Sequence, residues 1–277
     1  KRVAVDMYYV YVNDINIAVY DLNPSAKKTV LFIHGWPLGH KIFEYQTNIL
    51  PKLGYRTVSI DLRGFGKSDA TSGGYTYSQL ADDIYKVVHA IGLKDFTLVG
   101  FSMGGAIVLR YMSLFNGYGV SKLVLAAAAA PSFVQRPPEF PYGMTREDVN
   151  KLIAQACTDR PEMVTDFGEK VFASNPPESF RRWFNDIGFS ASGIGTIGTA
   201  VSLRDEELFN DLKCVRVPTG IFHGKLDEIC PYEFAVFMNE KIEDSILYTF
   251  EYSGHAIFYD ELKLFNQRSE EHTSELQ

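Results

Sequence analysis

The chain has 277 residues, 46% of them hydrophobic and 22% charged, which is enough for one sizeable core carrying an insertion and unlike the composition of a disordered chain. A formal net charge of −7 at pH 7 leaves no Lys/Arg excess to neutralise phosphates, which excludes a nucleic acid or an acidic membrane surface as the expected partner. Cys157, Cys214 and Cys230 form neither a CxxC pair nor an even disulfide framework, no apolar run reaches the ~20 residues of a membrane span, and KRVAVDMYY lacks the apolar centre of a signal peptide, so a reducing, cytoplasmic setting is expected.

Strand-like and helix-like segments alternate along most of the chain, the pattern of a mostly parallel sheet with helices on both faces. YYVYV and INIAVY flank Asn13-Asp14 and predict an opening hairpin. TVLFIH (Thr29 to His34) predicts a strand, a helical stretch follows near Ile42 to Leu53, and RTVSIDL (Arg56 to Leu62) predicts another strand. Thr76 and Gln79 have capping-box spacing and open a helix whose Leu80, Ile84, Val87, Val88 and Ile91 share one face. FTLV is the next strand, AIVLRYM its helix and KLVLAAA another buried strand. From Pro131 to about Asp205 the texture changes to short helical patterns without a convincing strand. Thr145 with Asp148 marks one helix start there, and Asn175-Pro-Pro before ESFRRWF marks another. PTGIFHG, a helix near Tyr232 to Lys241 and the strand SILYTFEY complete the core. The expected organisation is an α/β core of residues 1–130 and 206–267 around an inserted helical cap of residues 131–205. The last ten residues, RSEEHTSELQ, continue no amphipathic period and resemble the conceptual translation of a sequencing adapter. Residues 268–277 are therefore read as a non-native tail, and without it the chain stays acidic.

VGFSMGG, Val99 to Gly105, lies between FTLV and AIVLRYM and fits G-x-S-x-G. On a sharp strand-to-helix turn the glycines at 100 and 104 permit close backbone approach, and Ser102 is thrust out above the sheet. A serine between glycines is by itself more often a plain turn; the strand before it and the helix after it favour a nucleophile. Serine needs a base to take its proton and a third group to orient that base. Asp227 follows PTGIFHG and His255 follows SILYTFEY, each just past a strand's carboxyl end, so Ser102, Asp227 and His255 form the candidate triad. Glu228 is a rival acid, and the offset from the strand favours Asp227. His34 and His223 end strands before glycine and read as structural, while His40 and His89 read as solvent or helix-face residues. Acyl transfer creates an oxyanion, for which the N–H groups of Trp36, in HGWP, and Met103, at a helix N-terminus, are the assigned donors. A tight turn with a packed Trp is compatible with this role.

HGWP, EYQTNILPKLGYRTVSIDLRGFGKSD, GFSMGG, HGKLDEICP and SGHAIF resemble, in type and order, the alpha/beta-hydrolase superfamily and within it the cofactor-free haloperoxidase and arylesterase branch. The resemblance covers nearly the whole core. It implies an alpha/beta-hydrolase fold with a mostly parallel central sheet, a Ser-Asp-His triad, a helical lid and hydrolysis of a small-molecule ester or lactone through an acyl-serine. It further implies peracid formation as a side activity and no cofactor, metal or haem. Phe101, Phe133, Phe140, Trp183 and Phe184 are candidates for an apolar acyl pocket, each equally well explained as core. The same triad serves a carbon-carbon bond or amide hydrolase, and a hydrolase scaffold that keeps its triad also serves as a small-molecule receptor. The carboxylate that haloalkane dehalogenases and epoxide hydrolases need at the elbow is replaced by Ser102. GIGTIG matches G-x-G-x-x-G without a preceding strand, and GFGKS has Asp61 where a P-loop needs its first glycine, so no nucleotide is implied. There is no HExxH or other metal-ligand spacing.

Overall fold

The expected hairpin is formed by β1 (Val5–Val12) and β2 (Ile15–Leu22), antiparallel with Val12 opposite Ile15. Asn13 and Asp14 take φ of 50° and 62°, the handedness that a two-residue hairpin turn requires. This computed structural model describes residues 5–274; the first four residues of KRVAVDMYY and residues 275–277 of the expected tail lie outside the described residues. The remaining strands are β3 (Lys28–Ile33), β4 (Tyr55–Ile60), β5 (Phe96–Phe101), β6 (Val120–Ala126), β7 (Thr219–Gly224) and β8 (Ser245–Phe250). They make one eight-stranded sheet in the order β1-β2-β4-β3-β5-β6-β7-β8. The β1–β2 and β2–β4 pairs are antiparallel and all others parallel. A parallel strand covered on both faces should be apolar throughout, and every residue of β5 and β7 is buried.

The helix expected near Ile42 to Leu53 is instead broken into a 3-10 turn (His40–Phe43), a single α-turn, α1 (Glu44–Thr47), and a second 3-10 turn (Leu50–Leu53). Pro51 accounts for the second break: it has no N–H to continue the ladder from α1, and it stands instead in the first turn of the second 3-10 segment. In α2 (Tyr77–Ala90) only half of the expected capping box forms. Thr76 Oγ1 accepts from Gln79 N–H at 3.2 Å, but the Gln79 amide turns to Asp83 at 3.2 Å. Leu80, Ile84, Val87 and Val88 are buried as the periodicity predicts. The helix after β5 is α3 (Met103–Leu114).

Between β6 and β7 the chain makes a long helical excursion: α4 (Arg146–Thr158), α5 (Arg160–Glu169), α6 (Glu178–Phe189), α7 (Gly193–Asp205) and α8 (Phe209–Leu212). Leu208 N–H donates to Pro131 O at 2.8 Å, closing the excursion at its neck. Arg110 of α3 grips its returning end through Asp211 (2.7 Å) and Glu206 (3.3 Å). GIGTIG is the first turns of α7. Ser192 caps that helix and also donates its hydroxyl to Gly64 O at 2.8 Å, and a side chain at Gly195 would strike Gly64 O. Gly195 and Gly198 are therefore packing positions, the latter against Tyr75, while a Cβ on Gly193 would meet nothing. Thr145 forms a complete capping box with Asp148 at the start of α4 (3.1 and 3.2 Å). Thr145→Ala is expected to cost about 1 kcal/mol, seen as a melting temperature lower by about 2 °C, with Thr145→Ser close to wild type.

After β7 come α9 (Glu233–Lys241), then β8, α10 (Ile257–Asp260) and α11 (Leu262–Ser274). Contrary to the expectation from pattern, residues 268–274 continue α11, and His272 is buried with Nε2 3.1 Å from Leu123 O. Phe265 and His272 stand seven residues apart and share a face, and an imidazole carries no weight in an apolar count. No helix among the described residues is long and apolar enough to cross a membrane.

Candidate active site

β5 delivers Ser102 at φ 55° and ψ −119°, a region that costs a non-glycine residue of order 1–3 kcal/mol and persists only where surroundings impose it. The surroundings here are specific. A Cβ on Gly104 would overlap the carbonyl oxygens of Ile33 and His34, so α3 lies directly against the end of β3. Ser102 N–H donates to Ala126 O, and Ser102 O accepts from Ala129 N–H, both at 2.9 Å, stitching the elbow to the end of β6.

The loops after β7 and β8 bring two side chains to that serine. His255 Nε2 is 2.8 Å from Ser102 Oγ, and His255 Nδ1 is 2.8 Å from Asp227 Oδ2. Asp227 Oδ1 accepts from the N–H groups of Ile229 (2.9 Å) and Cys230 (2.8 Å). All three side chains are buried, whereas Glu228, the rival acid, is exposed. Burial disfavours the Asp227 carboxylate, but His255 and His223 outweigh it and hold the group well below the usual carboxylate range. An ionised Asp227 keeps the hydrogen of His255 on Nδ1, which leaves the Nε2 lone pair facing the serine hydroxyl.

The HGWP turn runs beside the same serine: a Cβ on Gly35 would lie 2.8 Å from Ser102 Cβ. Among the described residues no acceptor takes up the backbone N–H of Trp36 or of Met103. The Trp36–Pro37 peptide bond is cis. The Trp36 indole is buried and reaches across to the helical excursion. Its Nε1–H donates to Thr196 O at 2.9 Å, and its ring meets Phe167 edge-on at 5.2 Å, so it touches α7 and α5. No sequence signal pointed to this link, because both partners lie more than a hundred residues away.

Of the five aromatic pocket candidates, Phe101 reaches the triad, its ring 5.0 Å from that of His255 and from Phe258. Phe140 does not. It packs with Tyr142, Phe209, Phe234 and Phe237. Trp183, half-buried, sits between Tyr45 and Phe180 and lines a separate cavity of about 260 Å³ with Tyr20, His40 and Asp61. Phe184 is buried against Phe172, and Phe133 is buried near the start of the excursion. Phe258, three residues past His255 in SGHAIF, went unread because an apolar residue there carries no chemical signature.

His40 differs from its reading as a solvent or helix-face residue. It stacks on Tyr20 with ring centroids 3.4 Å apart and bonds buried Asp61 at 2.9 Å. His89 is exposed on its helix, and His223 is buried with Nε2 2.7 Å from Cys230 O and 3.4 Å from Asp227 Oδ2. Among the described residues no group of three or more His, Cys, Asp or Glu is placed to hold a metal ion.

A serine on a sharp turn after the central parallel strand β5, bonded to a histidine from the end of β8 that in turn bonds an aspartate from the end of β7, is the arrangement expected of a hydrolase fold. Residues 28–262 match the alpha/beta hydrolase fold family, and the chain belongs to it. It is 44% identical over 239 residues to the AB hydrolase superfamily protein YisY of Bacillus subtilis, covering 86% of this chain and 89% of that protein. Among solved structures it is similar to an esterase from Exiguobacterium antarcticum, with a TM-score of 0.93 and 44% identity over 96% of this chain and 98% of that one. It is also similar to a bromoperoxidase from Bacillus anthracis, with a TM-score of 0.89 and 30% identity over 96% and 98% of the two chains. The branch resemblance read from the motifs holds, and the protein is a hydrolase-fold enzyme with esterases among its neighbours.

Proposed function

We propose that this protein is a serine carboxylesterase that cleaves small esters or lactones through an acyl-serine. The observation that carries this reading is the continuous relay of Ser102 Oγ, His255 and Asp227, with both contacts at 2.8 Å. Ser102 Oγ attacks the acyl carbon as His255 Nε2 takes its proton, and ionised Asp227 stabilises the imidazolium. The N–H groups of Trp36 and Met103 receive the oxyanion, one such donor being worth roughly 3 to 4 kcal/mol of barrier. His255 then protonates the departing alkoxide. Water, deprotonated by His255, attacks the acyl-serine, releases the acid and restores Ser102. With hydrogen peroxide in place of water the same step gives a peracid, the side activity that the haloperoxidase resemblance implies. The reaction as written draws on no cofactor.

Residues 131–205 act in this scheme as a cap over the site, a role supported by the contacts of Trp36 with Thr196 and Phe167. A cytoplasmic location fits three free cysteines in an acidic chain. A panel of chromogenic esters of increasing acyl length, with lactones and an anilide, tests the reading beside Ser102→Ala. Short and aryl esters are expected to turn over many times, with long-chain lipids poorer. A preference for the anilide points to the amide hydrolase, and a single slow covalent event per molecule points to the receptor; either result overturns the assignment.

A further inference from the structure

The first residue of HGWP controls the direction of a donor two positions along. Leu62 N–H donates to His34 Nε2 at 3.0 Å, so that nitrogen carries the lone pair and the hydrogen of the neutral ring is on Nδ1. Nδ1 lies 2.9 Å from Gly35 O, which also accepts from Leu38 N–H at 3.0 Å. This carbonyl belongs to the peptide unit whose N–H is that of Trp36. In a planar trans peptide the C=O and N–H point in opposite directions, so whatever holds the oxygen aims the hydrogen. Two bonds on the carbonyl also polarise the amide and strengthen its N–H as a donor.

His34 is wholly buried, and burial pushes its pKa down to about 4 against the opposing pull of Asp61 and the Gly35 bond, with His40 adding to the lowering. The ring therefore stays neutral and in one tautomer across the working pH range of an esterase.

We propose that His34 is a positioning residue for the oxyanion hole, its Nδ1–H fixing the Gly35–Trp36 peptide so that Trp36 N–H faces the developing oxyanion. This rests on the esterase reading. It assigns the histidine a share in catalysis without contact to substrate, through a hydrogen bond to one carbonyl oxygen.

Two substitutions separate this role from plain support. In His34→Asn the amide nitrogen falls near Nδ1 and keeps a donor for Gly35 O while giving up Leu62. In His34→Gln the longer side chain keeps an acceptor for Leu62 N–H and leaves Gly35 O without its imidazole bond. With a short chromogenic ester, His34→Gln is expected to lose on the order of 100-fold in kcat, as when one oxyanion donor is removed, with KM within about twofold. Affinity for a trifluoromethyl ketone, whose Ser102 adduct places an oxyanion in the hole, should fall by the same factor. His34→Asn should recover most of both. The chain has two tryptophans, so labelling with 15N-tryptophan isolates the Trp36 backbone amide for NMR. That resonance should move downfield on ketone binding in wild type and His34→Asn but not in His34→Gln.

Losses that are equal in the two variants and track their melting temperatures, or that fall on KM, overturn the proposal. So does a wild-type Trp36 amide that does not move, a result readable even if neither variant folds. His34→Gln behaving as wild type while Ser102→Ala is dead sinks this inference alone. Wild type that neither cleaves the ester nor binds the ketone sinks the esterase reading with it.

Discussion

Ser102→Ala and His255→Ala are each expected to remove nearly all ester turnover, on the order of a million-fold in kcat, because triad members act as a unit and the loss of one is close to the loss of all. The two should differ in stability. Among the described residues Ser102 Oγ bonds His255 alone, and the alanine substitution leaves the backbone bonds of the elbow in place, so the melting temperature of that variant should stay near wild type. His255→Ala strips Asp227 of the Nδ1–H donor on Oδ2, leaving a buried carboxylate with His223 at 3.4 Å and two backbone donors, so that variant should melt lower. Steady-state kinetics and thermal melts on both variants check this. A Ser102→Ala enzyme retaining a tenth of wild-type turnover refutes the assignment.

Asp227→Asn should cost about 10⁴-fold in kcat with little structural change, since a carboxamide donor beside His255 Nδ1 favours the wrong tautomer. Glu228→Gln, at an exposed position, should leave kcat unaltered; a larger loss there than at Asp227 means the acid is misassigned. Asp227→Asn also yields a pH test. The carboxyl of Asp227 is held below its ordinary value, so its ionised form stabilises the folded state above the unfolded carboxyl pKa of about 4, and that stabilisation is lost as pH falls through the depressed value. The gap in melting temperature between wild type and Asp227→Asn should narrow as pH drops below about 4.

That Ser102, Asp227 and His255 come together could be read in the sequence because they stand at strand ends, where local pattern fixes position: GFSMGG, KLDEICP and SGHAIF each follow an apolar run. What was not readable depends on contacts between distant segments. His40 has no local cue that it will fold onto Asp61, and nothing near Trp36 shows that its indole will reach Thr196. Aromatic residues announce burial but not what they are buried against, which is why Phe101 meets His255 while Phe140 joins a cluster around α9. The broken helix over His40–Leu53 was overread because its apolar spacing is helical and the second break is made by a single proline.

The hydrogen bond from Leu208 N–H to Pro131 O makes the segment it closes a replaceable cassette. Ser102, His255, Asp227, Trp36 and Met103 all lie outside it, so its sequence can be rewritten without changing any of them. Lengthening a closed loop is cheap, about 0.6 kcal/mol per doubling, so size is little constraint either. Several seams have to be honoured by any replacement, among them the neck itself, the Arg110 grip on the returning end, the lip where Trp36 and Gly64 meet α7, the bond from Ala256 N–H, next to His255, to Val171 O, and the hold of Asp260 on Ala173 and Ser174. If the excursion is the cap that the esterase proposal makes it, a chimaera that keeps those seams and exchanges the helices between them is expected to change which esters are cleaved while keeping the same reaction, so that recognition and chemistry vary separately on this scaffold.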